Sequence, residues 1–558
     1  MYRITFQTVD GGSIFVFAEF GENILTLSHR AGIGIDAPCG GNGTCGKCRV
    51  QLVMGHIESE KTPHISDEEY ADGWRLACLS SVSAEAVIKV PAAAASYKSD
   101  IKTADLSTPE ELRRYRAAID KIFAAGIARG CAQQGCGVAV DIGTTTVTAA
   151  FFDLQSGELR ARASAGNGQI RYGADVINRI IASARPGGRE ALRAAVLDET
   201  ILPLVAELCA GAGVTPDAVT RCVVAGNTTM EHLFLGVNAE SIRLEPYEPT
   251  FLEKTGVTAA ATGLPFPANV PVILAPNVGS YVGGDITAGT LTSMLWNMDG
   301  LHLFIDLGTN GELVLGNRDF LLCCACSAGP AFEGGDISCG MRATTGAIES
   351  VKIDRDTLEP ILGVVGGGTP VGLCGSGLID LIAELFRCGV IDAKGKFIRS
   401  GERITRDEYG AAYVLAFRRD AGGGRDVAVN ETDIDSFIRA KAAIFSAIRA
   451  MLGSLDLTVD MLDSVKIAGG IGSGIGIQNA ISIGMLPAVP VEKYEYAGNT
   501  SLTGACAMLL SDEATEKVFE LGHSMTYLEL STQPGYMNEF IAACFLPHTD
   551  AGLFEVMG

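Results

Sequence analysis

The stretch VAVDIGTTTVTAAFFD, residues 138–153, joins an apolar strand pattern to a turn rich in glycine and threonine. Asp141 ends the apolar run, Gly143 allows close backbone approach to a ligand, and threonine hydroxyls follow. Such a turn suits a polyphosphate, with Asp141 placed to hold Mg²⁺ directly or through water. A single D-x-G-T turn also occurs in ordinary hairpins, so this stretch alone leaves both interpretations open.

A second copy of the pattern strengthens the phosphate interpretation. The stretch LFIDLGTNGELVLGN, residues 303–317, places Asp306 at the end of an apolar run, 165 residues after Asp141. A third glycine run, AGGIGSGIG at 468–476, follows the strand-like SVKI and suits an adenosine face, although a packing turn explains it too. Between these turns, strand patterns alternate with helical stretches such as 189–210 and 431–455, which indicates an α/β fold with two similar lobes.

The amino-terminal region has a different pattern, centred on DAPCGGNGTCGKC at residues 36–48. Cys39, Cys45 and Cys48 follow C-x5-C-x2-C, and Cys78 lies downstream. Four thiolates are the complement of an iron-sulfur cluster, and the glycines allow a tight loop that aims backbone N–H groups at sulfur. Structural zinc is the alternative, but the spacing is similar to that of two-iron, two-sulfur ferredoxins. It is one residue longer than the plant-type spacing and resembles the adrenodoxin-like one.

The surrounding residues predict a small sheet of ferredoxin size. ITFQTV and SIFVFAE alternate around a glycine turn, a helical NILTLSHRAGI follows, and CRVQLVMG and AVIKVP are strand-like. We expect residues 1–92 to form this ferredoxin-like domain, 93–135 a linker with one helix starting near Pro109, 136–300 the first lobe and 301–558 the second. The linker is expected to be a spacer rather than a site.

Several other polar groups have a structural explanation beside a functional one. The turn AGNTTMEH, residues 225–232, either touches a ligand or caps a helix. Asp285 and Glu333 either assist Mg²⁺ or place charge at a helix start. Within LLCCACSAG, only Cys324 and Cys326 share a strand face, which favours a buried strand over a second metal site. The sequence identifies no catalytic residue.

Composition excludes several classes of partner. The chain has 558 residues, 47% of them hydrophobic, and a formal charge of -22, which disfavours nucleic acid and anionic membrane surfaces as partners. Its start lacks a signal-peptide pattern and no apolar run reaches 18 residues, so we expect a cytoplasmic protein. Sixteen cysteines in so long a chain are too sparse for a disulfide scaffold.

The three glycine turns, in order, resemble phosphate 1, phosphate 2 and the adenosine motif of the superfamily of sugar kinases, actin and heat-shock chaperone ATPases. That resemblance implies two ribonuclease-H-like lobes around a nucleotide cleft. Together with the amino-terminal stretches, it leads us to expect an α/β multidomain fold with a β-grasp ferredoxin domain, a helical linker and these two lobes. It implies ATP with Mg²⁺ as cofactor. The nucleotide-binding residues expected in this way are Asp141, Gly143, Thr144, Thr145, Thr146, Asp306, Gly308, Thr309, Asn310, Gly469, Gly470 and Gly472.

The full order of motifs resembles the reductive activators of corrinoid proteins over nearly the whole chain. The motifs are CGGNGTCGKC, DIGTTTV, GADVINRI, GNTTMEHL, SYVGGDI, DLGTNGE, GPAFEGG, CGSGLID, AGGIG and YLELS. The resemblance implies a homodimer that uses ATP to reduce the Co(II) corrinoid of a client protein to Co(I), with one electron from a 2Fe–2S cluster. It also implies that Cys39, Cys45, Cys48 and Cys78 are the cluster ligands, and that an upstream donor supplies the electron.

Three rival functions remain open at this stage. A small-molecule kinase of the same superfamily would form a phosphorylated product and leave the cluster without a purpose. An activator of another low-potential redox enzyme would differ only in its client. A plain electron carrier with an unused ATPase fold predicts unchanged activity in an Asp141→Ala variant.

Overall fold

The computed structural model describes residues 1–8, 11–35, 37, 39–43, 45–91, 109–407, 410–422, 424–470 and 474–557. The chain divides into two compact units. The first unit consists of Met1–Lys98, Ile170–Asn178 and Pro330–Phe437, and the second of Ser99–Gln169, Arg179–Gly329 and Ile438–Gly558. Among the described residues, no helix is both long and apolar enough to cross a membrane.

The strands are β1 (Tyr2–Gln7), β2 (Ser13–Ala18), β3 (Arg49–Ser59), β4 (Trp74–Leu76), β5 (Ser80–Lys89), β6 (Cys136–Ile142), β7 (Thr146–Asp153), β8 (Glu158–Gly166), β9 (Val219–Gly226), β10 (Val272–Leu274), β11 (His302–Leu307), β12 (Gly311–Gly316), β13 (Leu321–Cys326), β14 (Ala347–Ile353), β15 (Pro360–Val364), β16 (Gly372–Leu373), β17 (Ile404–Asp407), β18 (Gly410–Ala416), β19 (Val427–Asn430), β20 (Ser464–Ala468), β21 (Tyr494–Gly498) and β22 (Thr526–Tyr527).

The helices are α1 (Ile24–Arg30), α2 (Asp67–Ala71), α3 (Pro109–Ala124), α4 (Val176–Ser183), α5 (Gly188–Val196), α6 (Leu202–Ala212), α7 (Thr228–Leu235), α8 (Glu240–Arg243), α9 (Ala259–Thr262), α10 (Gly284–Ser293), α11 (Gly375–Arg387), α12 (Glu431–Ser454), α13 (Ile477–Ser482), α14 (Thr500–Leu510), α15 (Asp512–Ser524) and α16 (Tyr536–Ala543). A π-helical turn, Leu197–Ile201, joins α5 to α6.

The amino-terminal part of the first unit is a five-stranded sheet in the order β2-β1-β5-β3-β4. β1 and β2 form the antiparallel hairpin that the sequence predicts, and β1 pairs in parallel with β5. The sheet packs against α1, which begins where the Asn23 side chain accepts hydrogen bonds from the backbone N–H groups of Leu25 and Thr26. Ile4, Phe6 and other apolar side chains from these strands and α1 fill the core.

The second unit contains two sheets built in the same way. One has the order β10-β9-β6-β7-β8, and the other has the order β21-β20-β11-β12-β13-β22. In each sheet three consecutive antiparallel strands are followed by a strand parallel to the first of them, β9 beside β6 and β20 beside β11. The sequence repeat is therefore a repeat of topology, which places Asp141 and Asp306 at equivalent strand positions.

The two units group the residues differently from the predicted domain ranges. Residues 330–437 group with the amino-terminal residues instead of with the rest of the predicted lobe 301–558. They form two three-stranded sheets, β15-β14-β16 and β17-β18-β19, together with α11. CGSGLID, at the start of α11, is the glycine turn into a helix that the sequence pattern indicates, and it gives no sign of this grouping. The predicted ranges 1–92, 93–135, 136–300 and 301–558 remain a prediction.

Candidate functional site

The four cysteines of the amino-terminal loop lie together and are buried. They form two pairs: Cys45 Sγ lies 3.4 Å from Cys39 Sγ, and Cys48 Sγ lies 3.2 Å from Cys78 Sγ. The hydrogen bond to Cys39 and burial raise the pKa of Cys45, and the hydrogen bond to Cys78 and burial raise that of Cys48. The bond from Cys48 lowers the pKa of Cys78.

The backbone of this loop requires glycine. Gly43 and Gly46 have φ of 77° and 65°, in the left-handed region that side chains disfavour. A methyl group at Gly46 would also lie 2.7 Å from His64 Cγ. The compact loop lets the backbone N–H of Gly43 donate to Cys78 and that of Lys47 donate to Cys45. Neither Asp36, Pro38 nor Thr44 lies within the described residues.

The donor set fits a two-iron cluster. Two thiolates on one tetrahedral metal lie about 3.8 Å apart, from a metal–sulfur distance of about 2.3 Å. The Sγ–Sγ distances of 3.4 and 3.2 Å are close to that value and far longer than a disulfide bond. Across the described part of the chain, no three cysteine, histidine or acidic side chains converge tightly enough to hold one metal ion. A two-iron cluster requires two separate thiolate pairs, because each iron takes two thiolates and its remaining ligands are sulfide ions.

The cysteine loop also contacts later segments of its own unit. Lys47, between Cys45 and Cys48, donates a hydrogen bond to the Gly340 carbonyl. A methyl group at Gly40 would lie 3.2 Å from Asn178 Oδ1. The loop is therefore enclosed partly by residues far from it in sequence.

The first acidic turn, DIGTTT, is fixed by the start of α14. Asp141 Oδ2 accepts a hydrogen bond from Asn499 Nδ2 at 2.9 Å, and Asp141 Oδ1 accepts one from Ser501 Oγ at 2.7 Å. Burial raises the pKa of Asp141, and these two hydrogen bonds oppose that rise. Arg179 donates to the Thr144 carbonyl, so the turn is held on its other side as well.

The second acidic turn meets the first and the third glycine run. Thr309 Oγ1 lies 3.1 Å from Thr145 Oγ1, which joins the two turns directly. A methyl group at Gly469 would lie 2.8 Å from Asp306 Oδ1 and 2.2 Å from the Leu307 carbonyl oxygen. Gly469 has a φ of 93°, so both its conformation and its surroundings require glycine. Three motifs that are far apart in sequence therefore converge within the second unit.

Four buried carboxyl groups lie close together at these turns: Asp141, Asp285, Asp306 and Glu312. Burial and the charges of Asp306 and Asp141 raise the pKa of Asp285 to about 8. Burial and the Asp141 charge raise the pKa of Asp306 to about 7. The pKa of Glu312 is well above its usual range, because of burial and then the charges of Asp285 and Asp306. Such a concentration of buried acid is stabilised by a cation or by protons.

This cluster of carboxyl groups fits Mg²⁺ only together with a ligand. Magnesium is usually bound through one or two carboxylates, water and substrate phosphates instead of a protein cage. Because no three ligating side chains of the described chain converge on one point, these acids supply a partial set of that kind. Glycine and threonine turns beside them offer room and hydrogen bonds for phosphate.

The remaining predicted residues have varied positions. Thr146 is exposed at the start of β7, and Gly308 and Asn310 belong to the second turn, where the Gly308 N–H donates to the Asn310 carbonyl at 3.0 Å. Gly470 is exposed, and nothing lies within 4 Å of the position that a methyl group there would occupy. Gly472 lies outside the described residues.

The structure shows where the polar groups and cysteines lie for which the sequence allows both a structural and a functional explanation. Asn227 caps α7 through the Met230 N–H and also donates to Thr144 Oγ1 at 2.9 Å, so it performs both roles. Asp285 lies in the first turn of α10 and belongs to the cluster of carboxyl groups, whereas Glu333 lies in a 3₁₀ turn of the first unit. β13 is a buried strand that contains Cys324 and Cys326.

Sequence reasoning missed the residues that hold Asp141. Asn499 and Ser501 stand at the start of α14, where Asn499 also caps the helix by accepting from the Leu502 N–H. The motif NTSLTGA has the polar start and apolar continuation of a capped helix, which was a readable signal. Nothing in it indicates a contact with a carboxylate 358 residues earlier.

Three models of known protein families match successive parts of the chain. A family model described as the C-terminal domain of RACo, the ASKHA domain, matches residues 300–558, and one described as the RACo middle region matches residues 136–298. A model of the 2Fe-2S iron-sulfur cluster binding domain matches residues 7–83. The ferredoxin-like domain and the ATPase-superfamily fold that the sequence predicts are therefore confirmed.

Individual relatives agree with these matches. A corrinoid activation enzyme of Eubacterium limosum, RamQ, is 33% identical over 415 residues, which cover 73% of this chain and 69% of RamQ. The Co(II) methylated amine-specific corrinoid protein reductase of Methanosarcina barkeri is 23% identical, over 75% of this chain and 78% of the reductase. A solved reductive activator for corrinoid, iron-sulfur protein matches with a TM-score of 0.70 and 39% identity, covering 100% of both chains.

Proposed function

The chain belongs to the family of reductive activators of corrinoid proteins, and on that premise we propose that it passes one electron from a 2Fe–2S cluster to the Co(II) of a client corrinoid protein, forming Co(I), with the help of ATP and Mg²⁺. The observation that carries the proposal is that one chain contains both a buried loop of two thiol pairs and a cluster of buried carboxyl groups beside two glycine and threonine turns. An upstream donor supplies a new electron to the oxidised cluster after each transfer.

Each thiol pair has a separate task in this proposal. Cys39 and Cys45 hold one iron, and Cys48 and Cys78 hold the other, as their Sγ–Sγ distances suggest. When bound, a cluster of this type supplies single electrons at a potential of about −400 mV. The loop N–H groups that point at sulfur, from Gly43 and Lys47, stabilise the negative charge that reduction adds.

The cleft binds the nucleotide. Asp141, held by Asn499 and Ser501, would bind Mg²⁺ directly or through its bound water, and Asp306 would supply a second carboxylate to it. The hydroxyls of Thr145 and Thr309 and the backbone of the two turns receive the phosphates. Gly469 and Gly470 border the adenosine. ATP is needed if the Co(II) acceptor has a lower reduction potential than the cluster, because electron transfer is then unfavourable. Each difference of about 59 mV lowers the equilibrium constant of a one-electron transfer tenfold.

The decisive experiment mixes the reduced protein anaerobically with a Co(II) corrinoid protein, with and without MgATP. We expect the Co(I) absorbance to rise only in the complete mixture, one cobalt for each electron supplied. Equal Co(I) formation without nucleotide would contradict the role of ATP. A phosphorylated small molecule in the same assay would favour a kinase, and a non-hydrolysable ATP analogue separates a requirement for binding from one for hydrolysis.

Two cysteine variants test the assignment of the cluster ligands. Cys48→Ser should abolish the visible absorbance of the reconstituted protein, because the second iron loses one of its two thiolates. Cys388→Ser is the matched control, since Cys388 is also buried in the first unit and its Sγ donates to the Ile353 carbonyl at 3.8 Å, away from the four loop cysteines. Cluster absorbance that persists at full strength in Cys48→Ser would contradict the assignment.

The homodimer implied by the resemblance is also part of the proposal. Sedimentation of the reconstituted protein should give twice the mass of one chain. The client's identity is left to a binding assay with candidate corrinoid proteins.

A further inference from the structure

Helix α3, which the sequence presents as part of a linker, is built into the nucleotide-binding unit. Its Ile119 and Ile122 are buried in a core that also contains Leu502, Ala505 and Leu509 of α14. Lys121 on the same helix donates to Glu495 of β21 at 3.3 Å. A mere spacer would not contribute core side chains, so α3 is a structural element of this unit.

One polar contact joins the buried face of α3 to α14. The Tyr115 hydroxyl oxygen lies 2.6 Å from Cys506 Sγ, within hydrogen-bond distance. Burial is the main reason that the pKa of Tyr115 is well above its usual range, so the hydroxyl keeps its proton. A buried hydroxyl without a partner is costly, and the Cys506 sulfur supplies that partner.

The same helix α14 begins at the nucleotide site. Asn499 and Ser501 hold the two oxygens of Asp141, and Cys506 follows Ser501 by five residues. The α14 side chains are buried along its whole length, so its position is set by the groups that contact it. A fixed point at Cys506 therefore limits how far the start of α14 can shift away from Asp141.

A third side chain connects Tyr115 to the same carboxylate. The Arg162 guanidinium carbon lies 5.6 Å from the centre of the Tyr115 ring. The Arg162 charge also lowers the pKa of Asp141, against the effect of burial. Tyr115 thus contacts two elements that act on Asp141: helix α14, through Cys506, and the Arg162 side chain.

We propose that Tyr115 is a positioning residue for the magnesium side of the nucleotide site: its hydroxyl anchors α14 at Cys506, and α14 holds the Asp141 carboxylate at the geometry that Mg²⁺ needs. This inference rests on the proposed function and deepens it. The residue touches neither nucleotide nor metal, and it acts only through α14.

The test compares nucleotide binding with and without Mg²⁺ in Tyr115→Phe, which keeps the ring and removes the hydroxyl. We expect the Kd for MgADP, from isothermal titration calorimetry, to rise about fivefold, the effect of one lost neutral hydrogen bond. The Kd for ADP in EDTA should not change. In the Co(I) assay the half-saturating MgATP concentration should rise and the rate at saturation should not.

Two further variants separate positioning from general stability. Cys506→Ala removes the same bond from the other side, so the double variant should bind MgADP no more weakly than either single variant. Tyr413→Phe is the control: it removes a hydroxyl that donates to the Leu358 carbonyl at 2.8 Å in the first unit, and should leave MgADP binding unchanged.

The outcomes are distinct. Unchanged MgADP affinity in Tyr115→Phe, an equal loss in EDTA, or additive losses in the double variant would each overturn the positioning role and leave the proposed function intact. An unmodified protein that binds no adenine nucleotide would overturn both.

Discussion

The two acidic turns of the second unit have the same topology and different surroundings. Asp141 has both carboxylate oxygens bound by side chains of α14, whereas Asp306 has a pKa of about 7, which burial and the neighbouring Asp141 charge produce. A methyl group at Gly143 would lie 2.5 Å from the Thr146 carbonyl oxygen, but at Gly308 the nearest atom is 3.8 Å away. The Asp141 turn is tightly packed and held by hydrogen bonds. The Asp306 turn has more space around its glycine, and the pKa of its carboxyl group lies near 7.

The difference indicates that the repeated strands determine where each aspartate lies, while the later helices determine which groups contact its carboxylate. Both aspartates occupy the same place beside a parallel strand, facing Ala225 of β9 and Ala468 of β20. Asn499 and Ser501 at the start of α14 bind both oxygens of the first aspartate, whereas a hydrogen bond from Thr500 only partly opposes the effect of burial on the pKa of Asp306. We therefore expect the first turn to orient the cation and the second to respond to its arrival, by losing a proton.

Replacing the two aspartates one at a time gives the largest expected effect. Asp141→Asn should weaken MgADP binding about a hundredfold, or about 2.7 kcal/mol, since it removes a charge held in place and replaces one accepting oxygen by an amide group that faces a donor. Asp306→Asn should cost only about tenfold at pH 7, because that carboxyl is partly protonated without ligand. Calorimetric titration measures both, and Glu516→Gln, on the exposed side of α15, is the control. Equal losses would refute the asymmetry.

Alanine substitutions of Gly143 and Gly308 test whether the two turns differ in packing. Gly143→Ala should destabilise the protein by about 2 kcal/mol in urea titration, since the methyl group would collide with a backbone carbonyl. Gly308→Ala should change stability by less than about 0.5 kcal/mol. If Gly308→Ala nonetheless weakens nucleotide binding, the open space beside it is where phosphate lies. Comparable destabilisation by both variants would show that the turns are equally tight.

The electrostatic half predicts a pH dependence of binding. With a pKa of about 7, Asp306 must lose a proton before it can face Mg²⁺, so MgADP affinity should rise about tenfold between about pH 6 and about pH 8. Asp306→Asn should flatten that rise. A pH profile that is unchanged in the variant would assign the proton to another group, such as Asp285.

The stability of the ligand-free protein should change in the opposite direction. A carboxyl whose folded pKa is raised favours folding when protonated. The stabilisation is present below the unfolded pKa of about 4 and is lost as the pH rises through the folded pKa values of about 7 and about 8. The thermal midpoint should therefore fall over this window, and MgADP should restore it. A midpoint that climbs with pH would contradict the raised pKa values.

How much of this was predictable depends on how local each feature is. The cysteine loop is nearly continuous in sequence, so its spacing predicted a ferredoxin-like fold that is confirmed. The two aspartate turns were predicted because each follows an apolar strand. The partners of Asp141 were not, because Asn499 and Ser501 are brought to it only by packing of α14. The same applies to residues 330–437, whose grouping with the amino-terminal unit depends on contacts and not on any motif.

The smallest expected effect concerns the contact that joins the two turns. Thr145→Val and Thr309→Val each remove one hydroxyl from the pair that lies 3.1 Å apart, and each should weaken MgADP binding about fivefold, or about 1 kcal/mol. Thr526→Val, exposed in β22 of the same unit, is the control. If the hydroxyls act mainly by holding the turns together, the double variant should be no weaker than the single ones. If each hydroxyl binds phosphate by itself, the losses should multiply to about 25-fold, and the turns would then act as independent ligands despite their contact.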